Sequence, residues 1–177
     1  MICEFAIKQI AINMRDIRSI GYNFLPIFFW VLIISVLTDK FKNSDYIFDN
    51  IEYVILSLIF VIIISVNVIR VNRHEIIKEL YVIPIILKRR TWKEIKFYVE
   101  VDEVSYGQHG KHTTNSIWFV DYNERVCLRF TKKFRNNLDE ILNTLDKYEE
   151  KYDNKITITN PILMRRGLTK FKVTKDQ

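Results

Sequence analysis

Two long apolar runs dominate the hydrophobic pattern of the chain. Residues 20–38 carry no charged side chain over 19 positions, and residues 53–69 carry none over 17. A helix rises about 1.5 Å per residue, so either run has roughly the length needed to cross a hydrocarbon layer of about 30 Å. The pattern predicts a membrane α-helical hairpin over residues 20–71, with spans at about 20–38 and 53–69.

The residues before the first run follow a helical period. Ala6, Ile10, Met14 and Ile17 recur at steps of four, four and three positions. Such a stripe favours an amphipathic helix that lies on a membrane surface. We therefore expect residues 1–19 to form an amphipathic cytoplasmic lead.

After residue 71 the apolar positions occur in short alternating runs, which are typical of strands. Pro84 interrupts the first of these runs, as expected at an edge or a bend, and the polar stretch at 107–115 contains two glycines and predicts a loop. Strands are expected at about residues 76–87, 97–106, 117–120 and 125–131.

A longer amphipathic stripe follows the last of these strands. Its apolar members recur at helical spacing and predict a helix over residues 134–152 that packs on a sheet or closes a barrel. They are Phe134, Leu138, Ile141, Leu142, Leu145, Tyr148 and Tyr152. Residues 153–177 are expected to form a basic C-terminal tail. The tail either adds a strand or lies along the membrane, and the sequence does not decide between the two.

The distribution of charge gives the predicted hairpin a direction. The chain has a net charge of +6, and basic residues flank the two runs on one side: Arg15 and Arg18 before the first, Arg70 and Arg73 after the second. Basic flanks stay in the cytoplasm, which predicts a multi-pass protein of the cell membrane with both termini cytoplasmic. The same charges are expected to meet anionic lipid head groups rather than nucleic acid.

Catalytic and metal-binding patterns are scarce in the sequence. It lacks a serine-centred nucleophile motif, a glycine-rich nucleotide loop and a His-Glu helix motif. His109 and His112 are interpreted as members of a solvated loop rather than metal ligands, and Glu103 with its acidic neighbours as an exposed strand edge. We expect neither an enzyme nor a cofactor.

One basic group interleaved with aromatic residues is the predicted binding site for lipid or another partner. Its members are Lys88, Arg89, Arg90, Trp92, Lys93 and Lys96. Lysine and arginine can reach anionic head groups while an aromatic ring lies at the interface. A second interpretation of Trp92, as a core residue beside a solvated charged face, is kept beside the first.

The order of these elements resembles a known family. Two apolar helices, several short strands, the turn Arg90-Thr91-Trp92-Lys93-Glu94-Ile95 and an amphipathic helix are similar to small bacterial membrane proteins with a pleckstrin-homology-like domain. The resemblance covers about residues 76–152. It implies that residues 72–152 form an α+β domain, in which a curved antiparallel sheet or barrel is closed by the C-terminal amphipathic helix.

The functional expectation follows from location and resemblance together. We expect a non-enzymatic, membrane-anchored binding module at the cytoplasmic face, with a role in self-protection (immunity) against a membrane-active peptide. The alternative is an envelope-associated signalling or assembly scaffold that recognises anionic lipid or a cytoplasmic protein. The expected partners are thus the lipid bilayer, its anionic head groups and a peptide or protein, and the oligomeric state is left open.

Overall fold

The computed structural model describes residues 16–41, 51–107 and 110–171. Within these ranges the chain forms two four-stranded sheets and four helices. The strands are β1 (Ile17–Tyr22), β2 (Val66–Val71), β3 (Glu75–Leu80), β4 (Ile86–Thr91), β5 (Ile95–Gly107), β6 (Gly110–Asp121), β7 (Val126–Thr131) and β8 (Lys151–Thr159). The helices are α1 (Leu25–Phe41), α2 (Ile51–Ser65), α3 (Leu138–Tyr148) and α4 (Ile162–Arg165), and a 3₁₀ turn covers Trp92–Glu94.

The first sheet has the strand order β1-β2-β3-β4, and all its neighbours are antiparallel. Strand β2 begins directly where α2 ends, although the apolar run continues through both. Valine and isoleucine occupy most of β2, and β-branched side chains fit a pleated, half-buried surface well. Ile69 and Val71 are fully buried there, so packing against the core selects the strand.

The second sheet has the strand order β7-β6-β5-β8. Strands β5 and β6 form a long antiparallel hairpin, whereas β8 pairs with β5 in parallel. Residues 110–115, which the sequence assigned to a loop, are paired with β5 in this hairpin. Strand β8 arrives after α3, so the residues of the basic tail extend the sheet.

Two apolar clusters hold these layers together. The larger lies between the sheets and α3, and its buried members include Ile69, Phe119, Phe130 and Leu145. The smaller lies on the opposite face of the second sheet, where residues 162–171 cover it and Phe171 is buried. The second sheet is therefore covered on both faces.

The predicted two-span membrane hairpin is wrong. Strand β1 takes up residues 17–22 and β2 takes up residues 66–71, which leaves helices α1 and α2 with 17 and 15 residues. In the described ranges, none of the helices has the length and apolar character that a membrane crossing requires. The predicted multi-pass location in the cell membrane, with both termini cytoplasmic, was derived from those spans and is therefore also wrong.

The predicted pleckstrin-homology-like fold is also wrong. The structure has two separate sheets in place of one curved sheet or barrel, and the second sheet is mixed rather than antiparallel. The amphipathic helix α3 is not the closing element, because β8 follows it and joins the second sheet. The four strands that precede β5 belong to the first sheet, and one of them, β1, comes from residues that were assigned to the lead and the first span.

Strand pairing places several chain connections at one end of the first sheet. Tyr22 pairs with Val66, and Leu80 pairs with Asn67. Helices α1 and α2 and the connection between β3 and β4 therefore leave the sheet at the same end. We call this the apolar end; it comprises α1, α2 and residues 81–87, many of whose large apolar side chains are exposed.

Candidate functional site

Six cationic side chains line a cleft between the two sheets. They come from β3, β4, β7, the segment before α3, and α4 with the residue that follows it. The members of this basic cleft are Lys78, Lys88, Arg129, Arg135, Arg165 and Arg166. The cleft consists of two adjoining cavities of about 440 and 410 Å³, a size that suits a small ligand group.

The strand register brings two of these cations together. Lys78 on β3 and Lys88 on β4 are cross-strand partners, and like charges in directly opposed positions destabilise a sheet. The ammonium of Lys88 donates a hydrogen bond to the carbonyl oxygen of Cys127 at 3.2 Å. That bond directs the ammonium of Lys88 towards β7 and away from Lys78. Both lysines therefore remain at the cleft.

A buried carboxylate orients the two arginines on the opposite wall. Glu103 on β5 is 4% exposed and accepts a hydrogen bond from Nε1 of Trp118 at 2.7 Å. Nε of Arg129 lies 2.9 Å from Oε1 of Glu103, and Nη1 of Arg165 lies 3.4 Å from Oε2. Because each guanidinium carries five N–H groups, both arginines keep donors beyond those that Glu103 uses.

Arg135 is held in place by three hydrogen bonds to neutral acceptors. Its Nη1 donates to the carbonyl of Ser19 at 2.7 Å, Nη2 to the amide oxygen of Asn67 at 2.7 Å, and Nε to the carbonyl of Thr131 at 3.3 Å. All three acceptors are neutral, so the guanidinium charge is not neutralised by them. Burial lowers the pKa of Arg135 to about 10, which leaves it cationic at neutral pH.

Lys78 has a pKa well below that of an ordinary lysine. Burial, together with the charges of Arg129, Arg135 and Lys88, lowers its pKa to about 8. A cation surrounded by cations is stabilised by any anion that enters between them. The cleft therefore has a local excess of positive charge that an anionic ligand would relieve.

Apolar side chains adjoin the cations at the mouth of the cleft. Leu87 and Ile162 line the first cavity, and Leu25 and Tyr22 line the second. These residues are exposed, and Leu25 is the first residue of α1. The cleft thus combines a charged interior with an apolar rim at the apolar end of the first sheet.

The structure separates the members of the sequence-predicted binding group. Lys88 lines the basic cleft, whereas Arg89 pairs with Glu75, with Nη2 donating to Oε1 at 2.9 Å. Arg90 is half-buried on β4, and its Nη1 donates to the carbonyl of Arg89 at 3.1 Å. Lys88 is thus the basic residue of this strand that the structure brings to the cleft.

Trp92 has the contacts of a core residue. Its ring stacks on Tyr148 with centroids 5.3 Å apart and planes 10° apart, and its Nε1 donates to the carbonyl of Asn72 at 2.9 Å. Lys93 in the 3₁₀ turn and Lys96 on β5 are exposed. A role of these three residues in binding stays a prediction.

The four arginines predicted to flank membrane spans have different surroundings. Arg18 and Arg70 are cross-strand partners on β1 and β2, and Arg70 lies 3.7 Å from the carboxylate of Glu79. Arg73 is exposed in the turn after β2. Arg15 lies outside the described residues.

Of the two histidines predicted to lie in a solvated loop, His109 is outside the described residues. His112 is part of β6 and lines the second cavity of the cleft. Within residues 16–41, 51–107 and 110–171, no three or more His, Cys, Asp or Glu side chains are grouped to hold a metal ion.

Sequence reasoning missed most of the cleft. Lys78 lies on a strand that also carries Glu75 and Glu79, Arg129 lies between apolar residues of β7, and Arg165 lies in the tail, so the sequence does not group these three cations. Glu103 was interpreted as an exposed edge residue but is buried against Trp118 and two arginines. The available signal in β7 was a single charge within an apolar alternating strand: Leu128 and Phe130 face the larger cluster, so Arg129 faces the other side of the sheet, beside Trp118.

Comparisons with known proteins add no assignment. Protein-family models, curated proteins and solved structures were compared with the chain, and none of them matches it. The resemblance to pleckstrin-homology-like proteins stays a prediction as to family, and the function is argued from the cleft.

Proposed function

We propose that this protein is a non-enzymatic binding module whose basic cleft recognises a phosphate-bearing ligand. The observation that carries the proposal is the convergence of six cations, from both sheets, from the segment before α3 and from the region of α4, on two adjoining cavities, one of which the buried carboxylate of Glu103 lines. Charges of one sign that are held close together in a partly desolvated cleft repel each other, and an opposite charge between them offsets that cost. A ligand phosphate supplies that charge.

The donor set suits phosphate in particular. Arg129 and Arg165 present planar guanidinium groups held by Glu103, and guanidinium groups form paired hydrogen bonds with phosphate oxygens. Lys78 and Lys88 add compact charges from the opposite wall. Donors on two walls can contact several oxygens of one phosphate group.

The same geometry supports binding rather than catalysis. Glu103 is engaged by Trp118 and by two arginines, so its carboxylate is not poised as a general base. The side chains around it act as hydrogen-bond donors and positive charges. These properties hold an anion in place.

The charge of the cleft also decides which of the two roles expected from the sequence, self-protection or a scaffold, has more support. A cleft rich in lysine and arginine repels a cationic membrane-active peptide and attracts an anionic ligand. The recognition of anionic groups, which belonged to the scaffold alternative, therefore has more support from the cleft than interception of such a peptide. Self-protection stays a prediction that no contact in the described residues favours.

Titration of the full chain with inorganic pyrophosphate, followed by calorimetry, tests the proposal. We expect saturable binding that weakens as the salt concentration rises, because ions screen the attraction. Ethylenediamine, a small dication, is the matched control and should give no binding. The absence of saturable pyrophosphate binding at low salt would overturn the proposed function.

A further inference from the structure

A continuous apolar segment is exposed at the turn between β3 and β4. Residues 81–87 include six large apolar side chains, and all of them are close to half exposed, from 46% for Ile83 to 55% for Tyr81. A contiguous apolar patch of this kind marks a surface that meets another apolar phase. The segment ends at Lys88, a member of the basic cleft.

Other apolar side chains lie at the same end of the first sheet. The amide of Tyr81 donates to the carbonyl of Val66 at 3.1 Å, which places the segment beside the junction between α2 and β2. Phe24, ahead of α1, is 52% exposed and packs edge-to-face on Phe134 with centroids 5.1 Å apart. The segment, the start of α1 and Phe134 therefore belong to one surface.

Cations border this surface on the cleft side. The second cavity of the cleft is lined by Tyr22 and Leu25 together with Lys78 and Arg135. The ammonium of Lys133 lies 4.8 Å from the ring centroid of Phe134. An apolar surface with a cationic border matches the interface of an anionic lipid layer, where acyl chains lie directly beneath phosphate groups.

We propose that the apolar end docks on the surface of an anionic phospholipid layer and that the basic cleft takes a lipid head-group phosphate. The inference rests on the proposed function, because it identifies the ligand of the same cleft. Contact is made from one side of the layer by residues 81–87, Phe134 and the exposed faces of the two helices.

A second copy of the chain fits this surface less well. A two-fold contact through the apolar end would bring the cationic borders of both copies together, and like charges across an interface oppose association. A lipid layer instead offers an apolar phase and a negative surface side by side. The combination of apolar surface and cationic border therefore favours phospholipid over a second copy of the chain.

Flotation of the full chain with vesicles tests the inference. Two vesicle compositions are compared: phosphatidylcholine alone, and phosphatidylcholine mixed with phosphatidylglycerol. We expect flotation with the mixed vesicles and at least about tenfold weaker binding to phosphatidylcholine alone, since attraction to an anionic surface grows with each basic residue. The double substitution I83S/I85S should weaken binding to mixed vesicles at least about tenfold, because it removes exposed apolar surface.

Controls separate this inference from the proposed function. The I83S/I85S variant should bind soluble pyrophosphate as the wild type does, and Tyr122→Ser, which removes an exposed side chain in the turn between β6 and β7, should leave flotation unchanged. Pyrophosphate binding without flotation would overturn the lipid inference and leave the proposed function standing. Failure of both assays would overturn both.

Three further outcomes would overturn the lipid inference alone. They are equal flotation with both vesicle compositions, flotation that I83S/I85S does not reduce, and a dimer in light scattering that I83S/I85S converts to a monomer. The last outcome would assign the apolar end to a second copy of the chain.

Discussion

Nε of Arg129 lies 2.9 Å from Oε1 of Glu103, and this contact joins β7 to β5 across β6. The carboxylate is buried, so the pair is held where water screens charge weakly. In the described part of the chain, Lys78 and Lys88 on the facing strands have no carboxylate at ion-pair distance. The contact fixes one wall of the cleft and leaves the other wall cationic.

Substitution of Glu103 should separate stability from binding. Glu103→Gln keeps the size and a hydrogen-bond acceptor for Trp118 but removes the charge that Arg129 and Arg165 share. Breaking a buried ion pair costs about 3 kcal/mol in unfolding free energy, while the freed arginines should raise pyrophosphate affinity about tenfold, or about 1.4 kcal/mol. Urea denaturation and calorimetry measure the two effects.

Glu100→Gln is the matched control for this substitution. Glu100 lies on the same strand and pairs with Lys132 and Lys151 outside the cleft. It should leave pyrophosphate affinity unchanged. A folded Glu103→Gln variant that binds pyrophosphate no better than the wild type would contradict the assignment of the two arginines to the ligand.

Lys78 is expected to reduce stability at neutral pH. Burial lowers its pKa to about 8 from 10.5, so below pH 8 the folded protein holds a charge that its surroundings disfavour. Lys78→Met should raise the unfolding free energy by about 1–2 kcal/mol near pH 7 and should weaken pyrophosphate binding. Besides burial, the charges of Arg129, Arg135 and Lys88 lower this pKa, and Arg165, Glu103 and His112 line the same cavities as Lys78.

The sign of the pH dependence follows from proton binding. Between pH 8 and 10.5 the unfolded chain binds more protons at this lysine than the folded protein does. The contribution of Lys78 to stability therefore improves as pH rises through this range. The gain in unfolding free energy from Lys78→Met, measured by urea denaturation, should shrink from about pH 7 to about pH 10. A gain that stays constant over this range would contradict the burial of a charged Lys78.

Lys96→Met, at an exposed position, is the control and should change the unfolding free energy by less than about 0.5 kcal/mol.

Trp92 distinguishes the core interpretation from the interfacial one. Its indole stacks on Tyr148 and donates to the carbonyl of Asn72, so Trp92→Ala should lower the unfolding free energy by about 3 kcal/mol. The neighbouring Lys93→Ala should change it by less than about 0.5 kcal/mol. A Trp92→Ala variant of unchanged stability that no longer floats with anionic vesicles would restore the interfacial interpretation.

Gly21 and Arg135 should behave as a coupled pair. A β-carbon at Gly21 would overlap the guanidinium of Arg135, which is fixed by its bonds to Ser19 and Asn67. Gly21→Ala should therefore cost about 2 kcal/mol in unfolding free energy. In an Arg135→Ala background the same substitution should cost much less, and additive effects in this double-mutant cycle would contradict the close contact.

The sequence predicted those strands and helices whose apolar residues recur with a regular period. The alternation of Val99 and Val101 predicted part of β5, and the stripe that contains Ile141 and Leu145 predicted α3; all four side chains are buried. Pro84 lies in the connection between β3 and β4, as its missing N–H group requires. In these cases the period of the side chains carries the information.

The first sheet could not be predicted in this way. An unbroken apolar run does not reveal where a helix becomes a buried strand, and in residues 53–69 the change occurs at Val66, where the chain pairs with β1 and β3. The basic cleft depends on the same long-range pairing. Lys78, Arg129 and Arg165 are far apart in sequence and meet only because β4 of the first sheet and helix α4 both lie beside β7 of the second sheet.

Calorimetric titration of inorganic pyrophosphate into two charge-matched double variants of the full chain is the most direct test of the basic cleft. Lys88→Gln/Arg166→Gln removes two cations from the cleft, whereas Lys93→Gln/Lys96→Gln removes two exposed cations outside it. We predict that the first variant binds at least about tenfold more weakly than the wild type, a loss of about 1.4 kcal/mol, and that the second binds as the wild type does. Equal losses in both variants, or a loss in the second alone, would contradict the cleft as the binding site.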